Sequence, residues 1–178
     1  MQVIAFGASA SKHSINKIFA TYTAHQFENA KIEILDLNDF ALPLFTVDLE
    51  TESGIPENAK QFYNKLQTAD LIIISLSEHN GTYTTAFKNL FDWVSRYQGN
   101  MFAGKKLLLV STSTGMRGGQ GSMEAALQRF PRHGAKILAH FSLPKFQENF
   151  DYENGITNEE LQIAFIEKIN LAKLHFKQ

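Results

Sequence analysis

Along this chain, short apolar runs alternate with longer stretches in which apolar residues recur every three to four positions. The runs "QVIAF" (Gln2–Phe6), "KIEILD" (Lys31–Asp36), "LIIIS" (Leu71–Ser75), "KLLLVS" (Lys106–Ser111) and "AKILAHF" (Ala135–Phe141) have the length of strands. Three of them are near-continuous Ile, Leu and Val, the composition of strands buried on both faces of a parallel sheet. Helical periodicity lies between them, near Ser14–Phe27, Pro56–Thr68, Thr84–Tyr97 and Ser122–Arg132, with a last stretch near Asn158–Phe176. Pro56 suits the first position of a helix, and Gly54 marks the loop before it. Five strands alternating with five helices predict repeated right-handed crossovers, hence an α/β three-layer sandwich with a five-stranded parallel sheet. We expect one domain over residues 1–178. The segment Asn38–Ile55 reads as an irregular loop, whose apolar residues in "LPLFTVDLE" should cover a neighbouring surface or a ligand.

In such a sheet, ligands bind beyond the carboxyl ends of the strands, where the strand order reverses. Three strand exits are rich in small and polar residues: "GASASKHSIN" after the first, "SEHNGTY" after the third and "TSTGMRGGQG" after the fourth. With strand order 2-1-3-4-5 they converge on one site.

The first of these loops runs into a helix beginning near Ser14, whose unpaired N–H groups and positive dipole end suit an anion. The hydroxyls of Ser9, Ser11 and Ser14 add donors, so a phosphate fits; a plain helix cap by Ser14 is the other reading. The dinucleotide pattern G-x-G-x-x-G and the P-loop are both absent, since only Gly7 is present here. "GASAS" lacks the second glycine of a nucleophile elbow. Phosphate remains the best ligand.

The second loop supplies a turn pair, Asn80-Gly81, and neighbours His79 and Tyr83 that suit a flat, partly polar ring. For His79, ring contact, solvent exposure and proton donation all stay open. On the helix that follows, Phe87, Leu90, Phe91 and Val94 form a core stripe, and Trp93 and Tyr97 widen the apolar arc to roughly 160°. That excess predicts a subunit contact, hence a homodimer or a dimer of dimers. The third loop has glycines that permit close approach of backbone amides to a ring edge, or that make a flexible surface loop.

Composition narrows the partners. Seventeen basic residues against 18 acidic ones give a net charge of -1, which favours neither nucleic acid nor an anionic membrane. The chain has no cysteine, which fits a reducing cytoplasm, and no His/Asp/Glu spacing suited to a metal. "MQVIAFGAS" is no secretory signal, and "LIIISL" is far short of the ~20 residues that span a bilayer. A cytoplasmic domain without metal, membrane or nucleic-acid partners is expected.

Taken together, the three loops resemble the NADPH-dependent FMN reductase family of flavodoxin-like proteins. Its first loop reads G-S-x-R-x-x-S-x-N, against Ala8 to Asn16 here. Its second is similar to P-E-Y-N-x-S-x-P-x-x-L-K-N-x-x-D-W, and Glu78, Asn80, Lys88, Asn89, Asp92 and Trp93 match it. The resemblance implies that Ser9, Ser11, Ser14, Ile15 and Asn16 surround an FMN phosphate. It implies that Glu78, His79, Asn80 and Gly81 line the isoalloxazine, and that Ser113, Thr114 and Gly115 edge its ring. The implied activity passes a hydride from NADPH or NADH through FMN to a small acceptor such as free flavin or a quinone. No acid–base catalytic residue is singled out, because the cofactor carries the redox chemistry. A non-enzymatic flavin-binding electron carrier or a regulatory protein is the alternative. Four positions depart from the pattern: Ser11 stands for the family Arg, Ser77 and Thr84 for Pro, and His79 for Tyr.

Overall fold

The all-apolar third run forms the middle of the molecule. In the computed structural model, which describes residues 1–176, β3 (Leu71–Leu76) is buried along its whole length. β1 (Gln2–Gly7) and β6 (Lys106–Thr112) flank it, and β2 (Lys31–Leu35) and β7 (Lys136–Leu143) are the edges. All neighbours are parallel, in the order β2-β1-β3-β6-β7, which is 2-1-3-4-5 when only the sheet strands are counted. Alternate side chains feed two cores. Ile72 and Ile74 point to one face, under α3 (Glu57–Gln67), α4 (Thr85–Tyr97) and α5 (Gln120–Arg129). Leu71 and Ile73 point to the other, under α1 (Ile15–Ala24) and α7 (Glu159–Leu174). The architecture is flavodoxin-like, and its three layers follow from apolar residues on both sides of the central strands.

Helix starts follow side-chain caps. Ser14, Thr84 and Asn158 each accept a hydrogen bond from the backbone N–H three residues on, and so fix the first turns of α1, α4 and α7. Pro56 stands at the cap position before α3, one residue earlier than expected.

The segment 38–55 is not irregular. A 3-10 turn at Leu37–Phe40 and the helix α2 (Val47–Ser53), capped by Thr46, divide it. Polar stretches conceal this in the sequence, because α2 buries none of its residues. Phe40 packs edge-on against Phe62 at 5.1 Å and Phe45 against Trp93 at 5.0 Å. Trp93 Nε1 donates to Pro43 O at 2.7 Å, and Asn89 Nδ2 donates to the same oxygen at 2.9 Å. The strap thus covers a neighbouring surface of its own chain, and Trp93 is fully buried under it. Tyr97 is half-buried against Tyr63. The wide apolar arc of α4 is therefore filled from within, which removes the ground for a subunit contact on that helix.

Two short hairpins were not visible in the strand pattern: β4 (Glu78–His79) with β5 (Thr82–Tyr83), and β8 (Phe150–Asp151) with β9 (Gly155–Ile156). A single helical turn, α6 (Phe146–Asn149), precedes the second. Among the described residues no helix is long and apolar enough to cross a membrane.

Candidate functional site

The strand order reverses between β1 and β3, and an open cleft of about 240 Å³ lies beyond their carboxyl ends. It falls below the ~300–1,000 Å³ of sites that bury a whole drug-sized ligand, so a larger group held here stays partly in solvent. Nine of the twelve residues expected at the site line it: Ser9, Ser11, Ser14, Ile15 and Asn16 from the first loop, Glu78 and His79 from the second, and Ser113 and Thr114 from the third. Asn80, Gly81 and Gly115 are outside its lining. His13, Ser77 and Thr112 complete it.

The wall formed by α1 is rich in hydrogen-bond donors. Gly7 lets the helix start against the end of β1: a Cβ there would lie 2.4 Å from the Lys17 nitrogen and 2.8 Å from the Asn16 carbonyl carbon. Ser14 Oγ accepts from Lys17 N at 3.2 Å, which leaves its own hydrogen free to donate. The N–H groups of Ile15 and Asn16 precede the first intrahelical bond and have no intrahelical partner. Ser9 Oγ likewise accepts from Ser11 N at 3.1 Å and keeps its hydrogen. The donor set fits a phosphate.

Asn16 plays a different part from the one expected. Its side chain is buried: Nδ2 donates to Thr112 O at 3.1 Å, while Oδ1 accepts from Ser75 Oγ at 2.7 Å and from Thr112 N at 3.2 Å. The amide ties the loop to β3 and β6, and what it offers the cleft is backbone N–H alone. A buried carboxamide satisfied by three partners is a keystone of the fold.

The second loop is held as a tight hairpin. Asn80 and Gly81 both take positive φ, 52° and 81°, as the two central residues of a type I′ turn require. The hairpin rests on the start of α5. Glu78 Oε2 accepts from Ser122 N at 3.1 Å, placing a carboxylate on the positive end of that helix. A Cβ at Gly121 would sit 2.5 Å from Gly81 O and 2.9 Å from Glu78 Oε2, so only glycine lets the two segments meet. Glu78 is thus a bridge between the second and third loops as well as part of the cleft. Thr84, where the resembled pattern has Pro, donates from Oγ1 to Ala8 O at 2.9 Å and accepts from Phe87 N at 3.2 Å. It fastens the second loop to the first, a role that proline has no hydroxyl to perform. Tyr83 turns away from the cleft to pack on Phe87 and Phe130, and burial pushes its phenol well above the usual value. His79 is exposed at the rim.

The third loop is tied down near both ends, while its tip, residues 114–117, is exposed. Lys145 N donates to Gly115 O at 2.9 Å and Phe146 N to Ser113 O at 3.0 Å. Ser111 Oγ donates to Gly118 O at 2.7 Å, and a Cβ at Gly118 would meet Leu143 backbone at 2.8 Å. Its inner glycines serve packing, Gly118 against the end of β7 and Gly119 against Ser111 and Leu76. Arg117 is exposed. Among the described residues no group of three His, Asp or Glu side chains gathers as a metal site would.

Fold and cleft together define a flavodoxin-like domain with a donor-lined cleft at its switch point. Residues 1–148 match the family described as NADPH-dependent FMN reductase, and the chain belongs to that family. It is 31% identical over 120 residues to a quinone reductase of Escherichia coli (strain K12), covering 67% of this chain and 63% of that one. The match therefore spans less than two thirds of that relative's length. An NADPH:quinone oxidoreductase of Arabidopsis thaliana is 29% identical over 145 residues, covering 77% and 70%. The fold is shared with FerB, a flavoenzyme NAD(P)H:(acceptor) oxidoreductase of Paracoccus denitrificans, at a TM-score of 0.74, 22% identity and 98% coverage of both chains. It is also shared with an FMN-dependent NADH-azoreductase of Bacillus anthracis in complex with FMN, at a TM-score of 0.62, 15% identity and coverage of 99% and 100%.

Proposed function

We propose that this chain is an FMN-dependent NAD(P)H oxidoreductase of the cytoplasm that reduces a small flat acceptor, a quinone in the first place. The observation that carries the reading is the α1 cradle: free N–H groups of Ile15 and Asn16 and uncommitted hydroxyl hydrogens of Ser9 and Ser14, all lining one cleft. Membership of the family and the quinone reductases among the relatives support the cofactor and the acceptor class.

In this reading Ser9, Ser11, Ser14 and the first N–H groups of α1 hold the FMN phosphate. The redox chemistry, hydride acceptance from a reduced nicotinamide and electron delivery to the acceptor, is supplied by the flavin when bound. The chain binds, orients and screens. Glu78 and Thr84 keep the second loop at a fixed height over the cleft, and Asn16 keeps the first loop on the sheet. Ser11 in place of Arg removes a forked donor, and exposed Lys12 is the cation nearby. FMN is therefore held less tightly than by relatives with the Arg.

Anaerobic titration of the flavin-loaded protein with NADPH and NADH tests the activity. Bleaching of the flavin band, and its return on adding a quinone, is the expected result. A flavin that neither nucleotide bleaches contradicts it and favours the electron carrier. Assembly as a dimer or dimer of dimers stays part of the proposal, with Leu44 and Val47 of the strap and Ile163, Leu171 and Leu174 of α7 among the exposed apolar residues. A light-scattering mass of 20.1 kDa, that of one chain, would contradict it.

A further inference from the structure

A groove of about 640 Å³ runs along the outward face of α1, between that helix and the β8–β9 hairpin. It adjoins the phosphate cradle, because His13 and Ser14 line both. We propose that this groove is a second nucleotide site that takes an adenylate, and the proposal rests on the phosphate reading of the cradle beside it.

Three observations carry it. The first is charge. Lys12, His13, Lys17 and His25 line the groove, and none of the residues lining it is a carboxylate. Lys17 is already paired with Asp36, so Lys12 and His13 remain, at the end nearest the cradle, for a second phosphate.

The second is surface. Tyr22, Phe150 and Tyr152 give the groove an aromatic floor and rim. Tyr152 is 73% exposed, and its ring meets Phe146 and Phe150 edge-on at 6.4 and 6.3 Å between centroids. A purine stacks on such a ring. His25 Nδ1 donates to Thr21 O at 2.8 Å, which leaves Nε2 for a base edge.

The third is reach. From Ser14 to Tyr22 the helix rises about 12 Å at 1.5 Å per residue, enough for one nucleotide laid from phosphate to base.

Two molecules carry this chemistry. In FAD the pyrophosphate would continue from the flavin phosphate, and its AMP half would lie in the groove. Its flavin-side phosphate is a diester with a single charge, against about -1.5 to -2 on a monoester, which suits a loop without arginine. In a nicotinamide dinucleotide the adenosine end would occupy the same place while FMN fills the cleft.

The test uses the full chain and the variant Tyr152→Ala, whose exposed ring contributes little to the core, with circular dichroism to verify the fold. Flavin-free protein is titrated with FMN and FAD, and FMN-loaded protein with 5′-AMP and 2′,5′-ADP, by calorimetry. If FAD is the source, FAD binds at least as tightly as FMN, and the variant loses about five- to a hundredfold of FAD affinity, the worth of one stacked base, with FMN unchanged. If the dinucleotide is the source, AMP or 2′,5′-ADP binds the FMN-loaded protein and weakens by the same factor in the variant. FMN binding with FAD weaker and neither adenylate bound overturns the groove alone. Affinities identical in variant and wild type do the same. Protein that binds no flavin at all overturns the cradle and the groove with it.

Discussion

The first and third loops are made of the same small, hydroxyl-bearing and glycine residues, yet they spend them differently. In the first, the hydroxyl oxygens of Ser9 and Ser14 accept from the backbone and their hydrogens remain free, while α1 begins with N–H groups facing the cleft. In the third, the groups are consumed. Ser111 reaches Gly118, Ser113 makes a local turn with Gly115, and the start of α5 is covered by the Glu78 carboxylate. Polar composition at a strand exit therefore marks where the chain turns closely, and only the first loop keeps donors unspent. Substitutions should separate the two loops, the third moving stability and the first moving affinity.

The largest effect is expected where both coincide. Asn16→Ala leaves Thr112 and Ser75 without their buried partner, each unsatisfied group costing about 1–3 kcal/mol. We expect a loss of roughly 3 kcal/mol or more, a fall in Tm of about 6–12 °C for a chain of this size, in thermal unfolding of the flavin-free protein. A Tm within 2 °C of wild type, on the same scale of about 2–4 °C per kcal/mol, would deny Asn16 the keystone role.

Gly118→Ala sharpens the contrast. The added Cβ collides with Leu143 backbone at a residue with φ of 58°, and overpacking of this kind costs about 1–3 kcal/mol. FMN affinity should change less than about threefold, under 1 kcal/mol. If affinity falls further than stability, the third loop belongs to the phosphate cradle and the division proposed here fails.

Ser14→Ala should do the reverse. Loss of the cap costs about 1 kcal/mol of stability, whereas a charge-assisted bond to phosphate is worth roughly 1.5–3 kcal/mol, ten- to a hundredfold in FMN affinity. Fluorescence titration beside thermal unfolding reads both quantities on one sample.

The smallest effect concerns pH. Burial alone would raise the Asp36 carboxyl, but hydrogen bonds from Lys17 and Asn38 hold it below its ordinary 3.8. A depressed folded-state value means that the unfolded chain takes up the proton first. The stabilisation is complete above 3.8 and disappears as pH falls through the lower folded value. Asp36→Asn should cost at most about 1 kcal/mol at neutral pH, because both side chains are partly exposed, and should flatten the acid limb of stability against pH. An unchanged acid limb would place the pH dependence elsewhere.

Much of this was legible in the residues themselves. Ile72 and Ile74, with Leu71 and Ile73, announced a strand buried on both faces, and that alone forces helices onto both sides. Ser14 announced the start of α1 as a cap candidate. The strap escaped because α2 has no buried face and so carries no periodic signal, while its anchors, Phe40, Phe45 and Pro43, are spaced irregularly. Trp93 misled for the same reason: an apolar residue outside the core stripe looks the same whether the chain or a second subunit covers it. Asn16 and Glu78 were expected at the site, but the bonds that give them their structural parts reach Thr112 and Ser122, 96 and 44 positions away. No local pattern encodes contacts of that range. The signal that was present lay in Thr84, a capping residue where the resembled pattern has proline.

The central claim is that the start of α1 and its serines grip a phosphate, and comparison of riboflavin with FMN on flavin-free protein tests it directly. The two ligands share the ring and differ in the phosphate alone. Calorimetry or flavin fluorescence should show FMN binding at least tenfold tighter than riboflavin, the worth of about one charge-assisted hydrogen bond. Equal affinities for the two would contradict the account, since a cleft indifferent to the phosphate is not the cradle described here.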